Sequence, residues 1–186
     1  LGGVAIGLGF GFLAPAWVGV LLALVGLGIA VASLRLERSR ALAAAYVNMG
    51  NTYWSKGDYD QTLEYYEKAL PLQVAVLGAK HPDIGVSHRN VALVQQQRGD
   101  YDASIENVGK ALAVYLPAFG ERHATVAQCY SDASGAYLAK GQPDRALPLA
   151  EKALSIQLSL PERSDRDTAA IYTTLVGLAP GGVLAL

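Results

Sequence analysis

The sequence predicts an all-α protein, in which a right-handed α-solenoid of antiparallel helix pairs follows an apolar helical segment that spans a membrane. Three observations lead to this prediction. No Asp, Glu, Lys or Arg occurs before Arg35, although 17% of the whole chain is charged. After that point a short sequence pattern recurs with a constant, 42-residue period. Within each 42-residue unit the apolar residues follow the spacing of one helix face.

Composition excludes several classes of protein before any motif is considered. The 186 residues have a formal net charge of −1, which gives no basic surface for a nucleic acid. The single cysteine cannot form an internal disulfide bond, and a hydrophobic content of 52% is too high for a disordered chain. We therefore expect no nucleic-acid partner, and a body long enough for one core or a short array of repeats.

The uncharged start of the chain predicts a membrane segment over residues 1–35, with a break at Pro15. Residues 16–34 are almost wholly apolar and match a hydrocarbon core of about 30 Å, with Trp17 as an interfacial anchor. We expect residues 1–34 to contact the lipid bilayer, and Gly3, Gly7 and Gly11 lie four residues apart, as in close membrane packing. Two alternatives remain open, a secretory signal cleaved at the small-x-small pattern Ala30-Val31-Ala32 and a buried helical hairpin broken at Pro15.

Basic residues follow the apolar segment directly. Arg35, Arg38 and Arg40 stand against the single acid Glu37. Residues 36–42 are therefore predicted to be a basic juxtamembrane linker. By the positive-inside rule, the body that follows this linker lies on the cytoplasmic side of the membrane.

The body is an ungapped repeat. The tetrapeptide at residues 57–60, Gly-Asp-Tyr-Asp, recurs at 99–102 and more weakly at 141–144, and the Lys-Ala-Leu at 68–70 recurs at 110–112 and 152–154. The units are placed at residues 43–84, 85–126 and 127–168. Residues 169–186 are then a truncated fourth repeat or a capping helix, whose apolar residues Ile171, Tyr172, Leu175 and Val176 we expect to form an uncovered face.

Each unit has the signals of two helices. Gly57 is suited to end the first helix, because a left-handed residue is needed there, and Asp58 is a suitable N-cap for the second. Pro82 and Asp83 are typical of a first helical turn. Pro71 and Pro148 fall inside predicted helices, where each is expected to bend the helix.

These residues resemble the tetratricopeptide (TPR) repeat. The resemblance rests on Asn48-Met49-Gly50-Asn51-Thr52-Tyr53-Trp54 followed by Gly57-Asp58-Tyr59. The 42-residue length and the connector at residues 77–82 are similar to the longer repeat of kinesin light chains. The resemblance implies a TPR-type solenoid with a groove for a protein or peptide partner, lined by the first helix of each pair.

Carried over position by position, the resemblance assigns nine groove positions. Among them, Asn51 matches a position that often hydrogen-bonds a ligand backbone, whereas Asn48 and Asn90 match a more often structural one. Arg89 is the one clear charge and implies a weak preference for an acidic ligand residue. The groove positions are Val47, Asn51, Trp54, Arg89, Leu93, Gln96, Ser131, Gly135 and Leu138.

The sequence predicts no enzyme, no metal site, no cofactor and no small-molecule substrate. His81 and His123 share a repeat position, His88 replaces a packing tyrosine, and Cys129 precedes Tyr130 on a helix. None has metal-ligand spacing, and no phosphate-binding loop or nucleophile elbow is found.

The predicted function is that of a membrane-anchored scaffold, which binds a segment of another protein on the cytoplasmic side. Two alternatives stay open. One is a soluble adaptor of the cytoplasm or cytoskeleton that joins cargo to a microtubule motor, like a kinesin light chain. The other is a structural solenoid that associates with itself through its ends.

Overall fold

The computed structural model describes residues 14–161 and 164–178, with side chains described from Trp17 onwards. This part of the chain forms seven α-helices joined by short loops. Their bounds are α1 Ala14–Ser55, α2 Tyr59–Leu77, α3 Pro82–Arg98, α4 Tyr101–Phe119, α5 Ala124–Ala139, α6 Pro143–Ser159 and α7 Asp165–Leu178.

The helices pack as consecutive antiparallel pairs. The most extensive contacts are those of α1 with α2, α3 with α4 and α5 with α6, and each pair meets the next through α2–α3, α4–α5 and α6–α7. The first helices also contact one another directly at α3–α5 and α5–α7. This arrangement confirms the all-α prediction of stacked helix pairs, with α7 in the place of a fourth first helix.

Glycines end the first helix of each pair where the sequence predicted. Gly57, Gly99 and Gly141 have φ angles of 74°, 84° and 76°, a left-handed conformation that other residues rarely adopt. At Gly99 the N–H groups of residues 99 and 100 bond to the carbonyls of Gln96 and Gln95. These bonds satisfy the last carbonyls of the helix and reverse the chain within two residues.

Side-chain caps begin several helices. Asp58 is the N-cap of α2, as predicted, and its carboxylate accepts a bond from the N–H of Gln61 at 3.1 Å. His81 and His123 cap α3 and α5, because the Nδ1 atom of each accepts the N–H two residues later. The 42-residue spacing predicted a shared connector position for these histidines, but their capping bond was not foreseen.

The predicted unit boundaries fall inside helices. Residues 85, 127 and 169 lie a few residues after the starts of α3, α5 and α7. Pro71 and Pro148 are inside α2 and α6, as expected, and Pro117 lies inside α4, where no bend was predicted. One expected feature of the fourth unit is wrong: Ile171 is 2% exposed, so it packs inward rather than contributing to an uncovered face.

Helix α1 runs without interruption from the apolar segment into the first repeat. Pro15 lies in its first turn, and the predicted basic linker at 36–42 is part of the same helix. Residues 17–38 are all exposed, and Ala43, at 4% exposure, is the first residue buried against α2. The predicted packing glycines 3, 7 and 11 lie outside the described residues.

Small side chains allow the helices of the body to approach closely. Ala92, Ala111 and Ala127 lie in one buried cluster with Tyr115, the largest of the fully buried side chains. Gly85 lies against the ring of Tyr115, and a Cβ atom added there would be 2.6 Å from it. The core therefore combines many alanines with valines, isoleucines and two tyrosine rings, which fits helices packed at short range.

Candidate peptide-binding cleft

A cleft separates the first helix of the first pair from the first helix of the second. It consists of two adjoining cavities of about 220 and 260 Å³, which share Tyr66 and Asn90 in their linings. From α1 it is lined by Val47, Asn51 and Trp54, and from α3 by Asp83, Val86, Ser87, Asn90 and Leu93. We call this feature the α1–α3 cleft.

Tyr66 of α2 lies between the two cavities of the cleft. The absence of a side chain at Gly50 lets its ring approach α1, since a Cβ atom there would be 2.5 Å from the ring. The Tyr66 hydroxyl donates to the Asn51 Oδ1 atom at 2.6 Å, and burial raises the pKa of this tyrosine. The tyrosine therefore remains a neutral donor and fixes the orientation of the Asn51 amide.

Four of the predicted groove residues line the α1–α3 cleft, and they are Val47, Asn51, Trp54 and Leu93. Trp54 is 38% exposed and lies 5.4 Å, centroid to centroid, from the ring of Tyr59. An indole that packs against a neighbouring ring and is still partly exposed is the kind of side chain that often dominates a protein interface. The cleft can thus offer both apolar surface and amide groups to an extended segment.

Sequence reasoning missed Asn90 and Val86 as cleft residues. The resemblance assigned Asn90 a structural role, whereas the structure places it in the linings of both cavities. A signal was present in the sequence, because Val86, Asn90 and Leu93 are spaced four and three residues apart on one face of α3. Their shared helix face could have identified them together.

Arg89 does not line the α1–α3 cleft, and its charge is paired within the protein. Its Nε atom is 2.5 Å from the Oδ2 atom of Asp132 on α5, and its Nη1 atom donates to the Gln128 Oε1 atom at 3.0 Å. Burial raises the pKa of Asp132, although the nearby Arg89 acts in the opposite direction. The guanidinium is therefore used to join α3 to α5.

The remaining predicted groove residues also lie between repeats. Ser131 lines a smaller cavity together with Arg89 and Asp132. Gln96 lies against Gly135, since a Cβ atom added to this glycine would be 3.2 Å from the Gln96 Nε2 atom. Leu138 lies against Gly177, where an added Cβ atom would be 3.3 Å from the Leu138 Cδ2 atom. The pairs Gln96–Gly135 and Leu138–Gly177 join α3 to α5 and α5 to α7.

Groups suited to chemistry are dispersed or buried. Within residues 14–161 and 164–178, no cluster of His, Cys, Asp and Glu side chains is placed to hold a metal ion. Cys129 is fully buried, and burial raises the pKa of its thiol to about 12, with Asp132 adding to the effect and Arg89 opposing it. A thiol in this environment is protonated and inert at neutral pH.

Comparison with known families and structures identifies the repeats. The sequence profile of the tetratricopeptide repeat matches residues 41–116 and, in a second register, residues 86–159. No curated protein matches the chain significantly.

Solved structures give the same fold. BtubC (BKLC) from P. vanneervenii shares 23% sequence identity with this chain and superposes with a TM-score of 0.69. The match covers 75% of this chain and 56% of BtubC. A second structure, of nearly identical TPR-like repeats in a kinesin light chain from Podosopora anserina, shares 20% sequence identity with this chain and superposes with a TM-score of 0.60. The match covers 73% of this chain and 64% of that structure. The N-terminal domain of stress-induced protein-1 (STI-1) from C. elegans shares 18% sequence identity with this chain and superposes with a TM-score of 0.54. The match covers 74% of this chain and 96% of that domain. This chain thus spans less than two thirds of the first two.

Proposed function

This chain belongs to the tetratricopeptide repeat family, and from that premise we propose that it is a membrane-anchored, non-catalytic scaffold. In this proposal residues 1–35 hold the protein in the membrane. The helix pairs lie on the cytoplasmic side and bind a segment of a partner protein in the α1–α3 cleft. TPR repeats bind protein partners in general, and the shape and lining of this cleft suit an extended or helical peptide.

The observation that carries the anchor is the exposure of the apolar part of α1. This helix is long and apolar enough to cross a membrane, and no residue of its most apolar stretch is buried by the rest of the protein. Leu21, Leu24 and Leu27 are 60–62% exposed, and the other large apolar side chains between residues 17 and 34 are 40–69% exposed. Exposure of so much apolar surface to water is unfavourable by roughly 25 cal/mol per Å², whereas in lipid it costs nothing.

The arginines after the apolar stretch support the proposed orientation, with the helix pairs on the cytoplasmic side of the membrane. Arg35, Arg38 and Arg40 follow the apolar stretch on the same helix, within about 10 Å of its end at 1.5 Å per residue. Arginines beside a transmembrane helix favour the cytoplasmic side and are attracted to anionic headgroups.

Carbonate extraction of membranes from cells that express the chain tests the anchor. We expect the full chain to stay in the membrane pellet. Replacing Leu21 and Val25 with arginine costs on the order of 5–7 kcal/mol at mid-bilayer and is expected to release the protein. The matched control is Leu21→Phe with Val25→Ile, which keeps the apolar character and should remain in the pellet.

The same experiment distinguishes the proposal from its main alternative. If the full chain is extracted as readily as the double arginine variant, the membrane anchor is refuted. The soluble cargo adaptor, suggested by the fold shared with a kinesin light chain, would then be the better interpretation.

A peptide-display screen against the full chain in nanodiscs tests the cleft. We expect the selected peptides to bind at least tenfold more weakly to Trp54→Ala and Asn90→Ala, since a central aromatic anchor is often worth about 2 kcal/mol or more. Val114→Ala is the control, because Val114 lines a separate cavity with Lys80 and Pro117. Peptides that are insensitive to both cleft variants would show that the partner binds elsewhere.

A further inference from the structure

A second, polar cavity lies at the junction of α3, α5, α6 and α7. Its volume is about 70 Å³, and Gln157 of α6 lines it with a side chain only 1% exposed. Both the Oε1 and the Nε2 atoms of Gln157 are buried without a hydrogen-bond partner among the described residues. A buried amide without partners keeps the full cost of its lost hydration, so this one calls for an explanation.

The repeat shows why this amide lacks a partner. Gln73, Tyr115 and Gln157 occupy the same position in successive units of the 42-residue repeat. In the first unit, the Ser87 hydroxyl donates to the Gln73 Oε1 atom at 2.7 Å. The equivalent of Ser87 beside Gln157 is Ile171, two units later, and its side chain has no hydroxyl to donate.

In the second unit the equivalent space is occupied. Tyr115 places its ring against Gly85 of α3, is 2% exposed, and lies in one buried cluster with Ala127 and Cys129 of α5. A cavity at the same repeat position does exist in the first unit, where Gln73 and Ser87 line part of the α1–α3 cleft, so what is specific to the third unit is the unsatisfied amide of Gln157. The third unit combines the amide of the first unit with an apolar neighbour that cannot satisfy that amide.

Four other polar side chains of the cavity are engaged with one another. Arg89 is paired with Asp132 and bonds to Gln128, whose Nε2 atom donates to the Asp167 Oδ2 atom at 3.0 Å. Two carboxylates against one guanidinium leave the lining with a formal charge of −1, which disfavours a carboxylate ligand. The amide of Gln157 offers one acceptor and two donors, and a ligand that is itself both donor and acceptor complements it.

We propose that this cavity binds the side-chain carboxamide of an asparagine or glutamine in the partner segment. The inference rests on the proposed function, since it supplies a second contact for the same ligand on the face formed by the first helices. Since both amide atoms have less than 1 Å² of accessible surface as they stand, the Gln157 side chain turns toward the cavity when the ligand enters. The carboxamide then pairs with it through two antiparallel hydrogen bonds, donating to Oε1 and accepting from Nε2. The cavity has room for roughly two water molecules, which is comparable with one such group.

Acetamide, the smallest probe with this chemistry, tests the site directly. The measurement is the side-chain amide signal of Gln157 in ¹⁵N-glutamine-labelled full chain in detergent micelles, assigned by its loss in Gln157→Leu. We expect acetamide to shift this signal saturably. Acetate and methylammonium at the same concentrations should leave it unchanged, because neither can both donate to and accept from the amide.

A matched pair of variants at Ile171 keeps the Gln157 signal observable. Ile171→Thr supplies the hydroxyl that Ser87 supplies in the first unit, so it should satisfy Gln157 internally and weaken acetamide binding about tenfold, as expected for competition with one or two net hydrogen bonds. Ile171→Val supplies no hydroxyl and should bind acetamide as the parent does.

Three results would overturn the inference. They are no shift with acetamide, an equal shift with acetate, and a Gln157 amide that contacts only water, which acetamide does not displace. Failure here is separable from failure of the proposed function. Peptides that bind the α1–α3 cleft while acetamide leaves Gln157 unchanged would refute only the carboxamide site, and the reverse result would refute only the cleft.

Discussion

At the residue scale, the same three positions of the repeat form chemically different clusters in successive pairs. In the first pair the ring of Tyr65 stacks on Tyr53 at 5.4 Å and lies 6.2 Å from Tyr46. The residues at the same positions of the next unit are polar and hydrogen-bonded: Asn107 bonds to both His88 and Gln95 at 3.0 Å. The fold accepts either cluster, because each satisfies its own members and fills the space between the two helices.

Two glycines provide a matched test of close packing. In Gly85→Ala the new methyl group would be 2.6 Å from the Tyr115 ring, so we expect a loss of about 1–3 kcal/mol of unfolding free energy. Gly109 lies inside α4 with nothing within 4 Å of an added Cβ, so Gly109→Ala should gain up to about 1 kcal/mol. Thermal unfolding followed by circular dichroism measures both, and shifts of the same sign would contradict this packing argument.

The lone thiol gives a second test at this scale. Cys129 is 0% exposed with a pKa of about 12, so at pH 8 only about one thiol in 10⁴ is ionised, and that one is out of contact with solvent. We expect Ellman's reagent to label the folded chain only as fast as it unfolds, and the denatured chain at once. Ala139→Cys in a Cys129→Ala background is the exposed control. Equally fast labelling of folded Cys129 would show that this core opens readily.

At the element scale, two equivalent aspartates begin α2 and α4 but differ in what they bond. Asp58 accepts the N–H of Gln61, whereas the Asp100 side chain makes no capping bond and lies 3.3 Å from Arg98 instead. We therefore expect Asp58→Ala to lower the free energy of unfolding by about 1 kcal/mol. Asp100→Ala should cost less than about 0.5 kcal/mol, because its ion pair is exposed.

Urea unfolding of the two aspartate variants measures the difference. Both aspartates attract the start of their helix electrostatically. If the two variants lose equal free energy of unfolding, this shared attraction outweighs the capping bond.

Much of this element level could be predicted from the sequence, because helix ends depend on local residues. Gly57 and Asp58 carry their own conformational and hydrogen-bonding preferences, and the 42-residue spacing extends them to later units. The pairing of Arg89 with Asp132 could not be predicted in this way. It spans two repeats, so it depends on how far each pair is rotated relative to the last, a property of packing that no single segment encodes.

The basic stretch at residues 36–42 is helical for a physical reason that its composition shows. The sequence changes from apolar to charged residues after Leu34, but charge alone does not end a helix. Residues 36–42 contain no glycine or proline, and arginine, leucine, glutamate and alanine are all good helix formers. The helix therefore continues until Ser55, just before Gly57.

At the scale of the whole molecule, this continuity fixes the cleft relative to the proposed anchor. Val47 and Trp54 lie about 20 and 30 Å along α1 from Leu34, at 1.5 Å per residue. Since one helix contains both the apolar stretch and one wall of the cleft, no hinge separates them. A partner segment that reaches the cleft would then come from close to the membrane surface, as the juxtamembrane part of another membrane protein does.

Spin labels on the two parts of the molecule test this rigid connection. With labels at Leu34→Cys and Leu93→Cys in a Cys129→Ala background, electron–electron resonance should give a narrow distance distribution. Inserting four alanines after Glu37 lengthens α1 by about 6 Å and turns the body by about 40°, so the mean distance should change while the width stays narrow. A Gly-Ser-Gly-Ser insertion of equal length should broaden the distribution, because these residues interrupt the helix.

If the parent chain already gives a distribution as broad as the Gly-Ser variant, α1 bends between the two parts, and the cleft has no fixed height above the membrane.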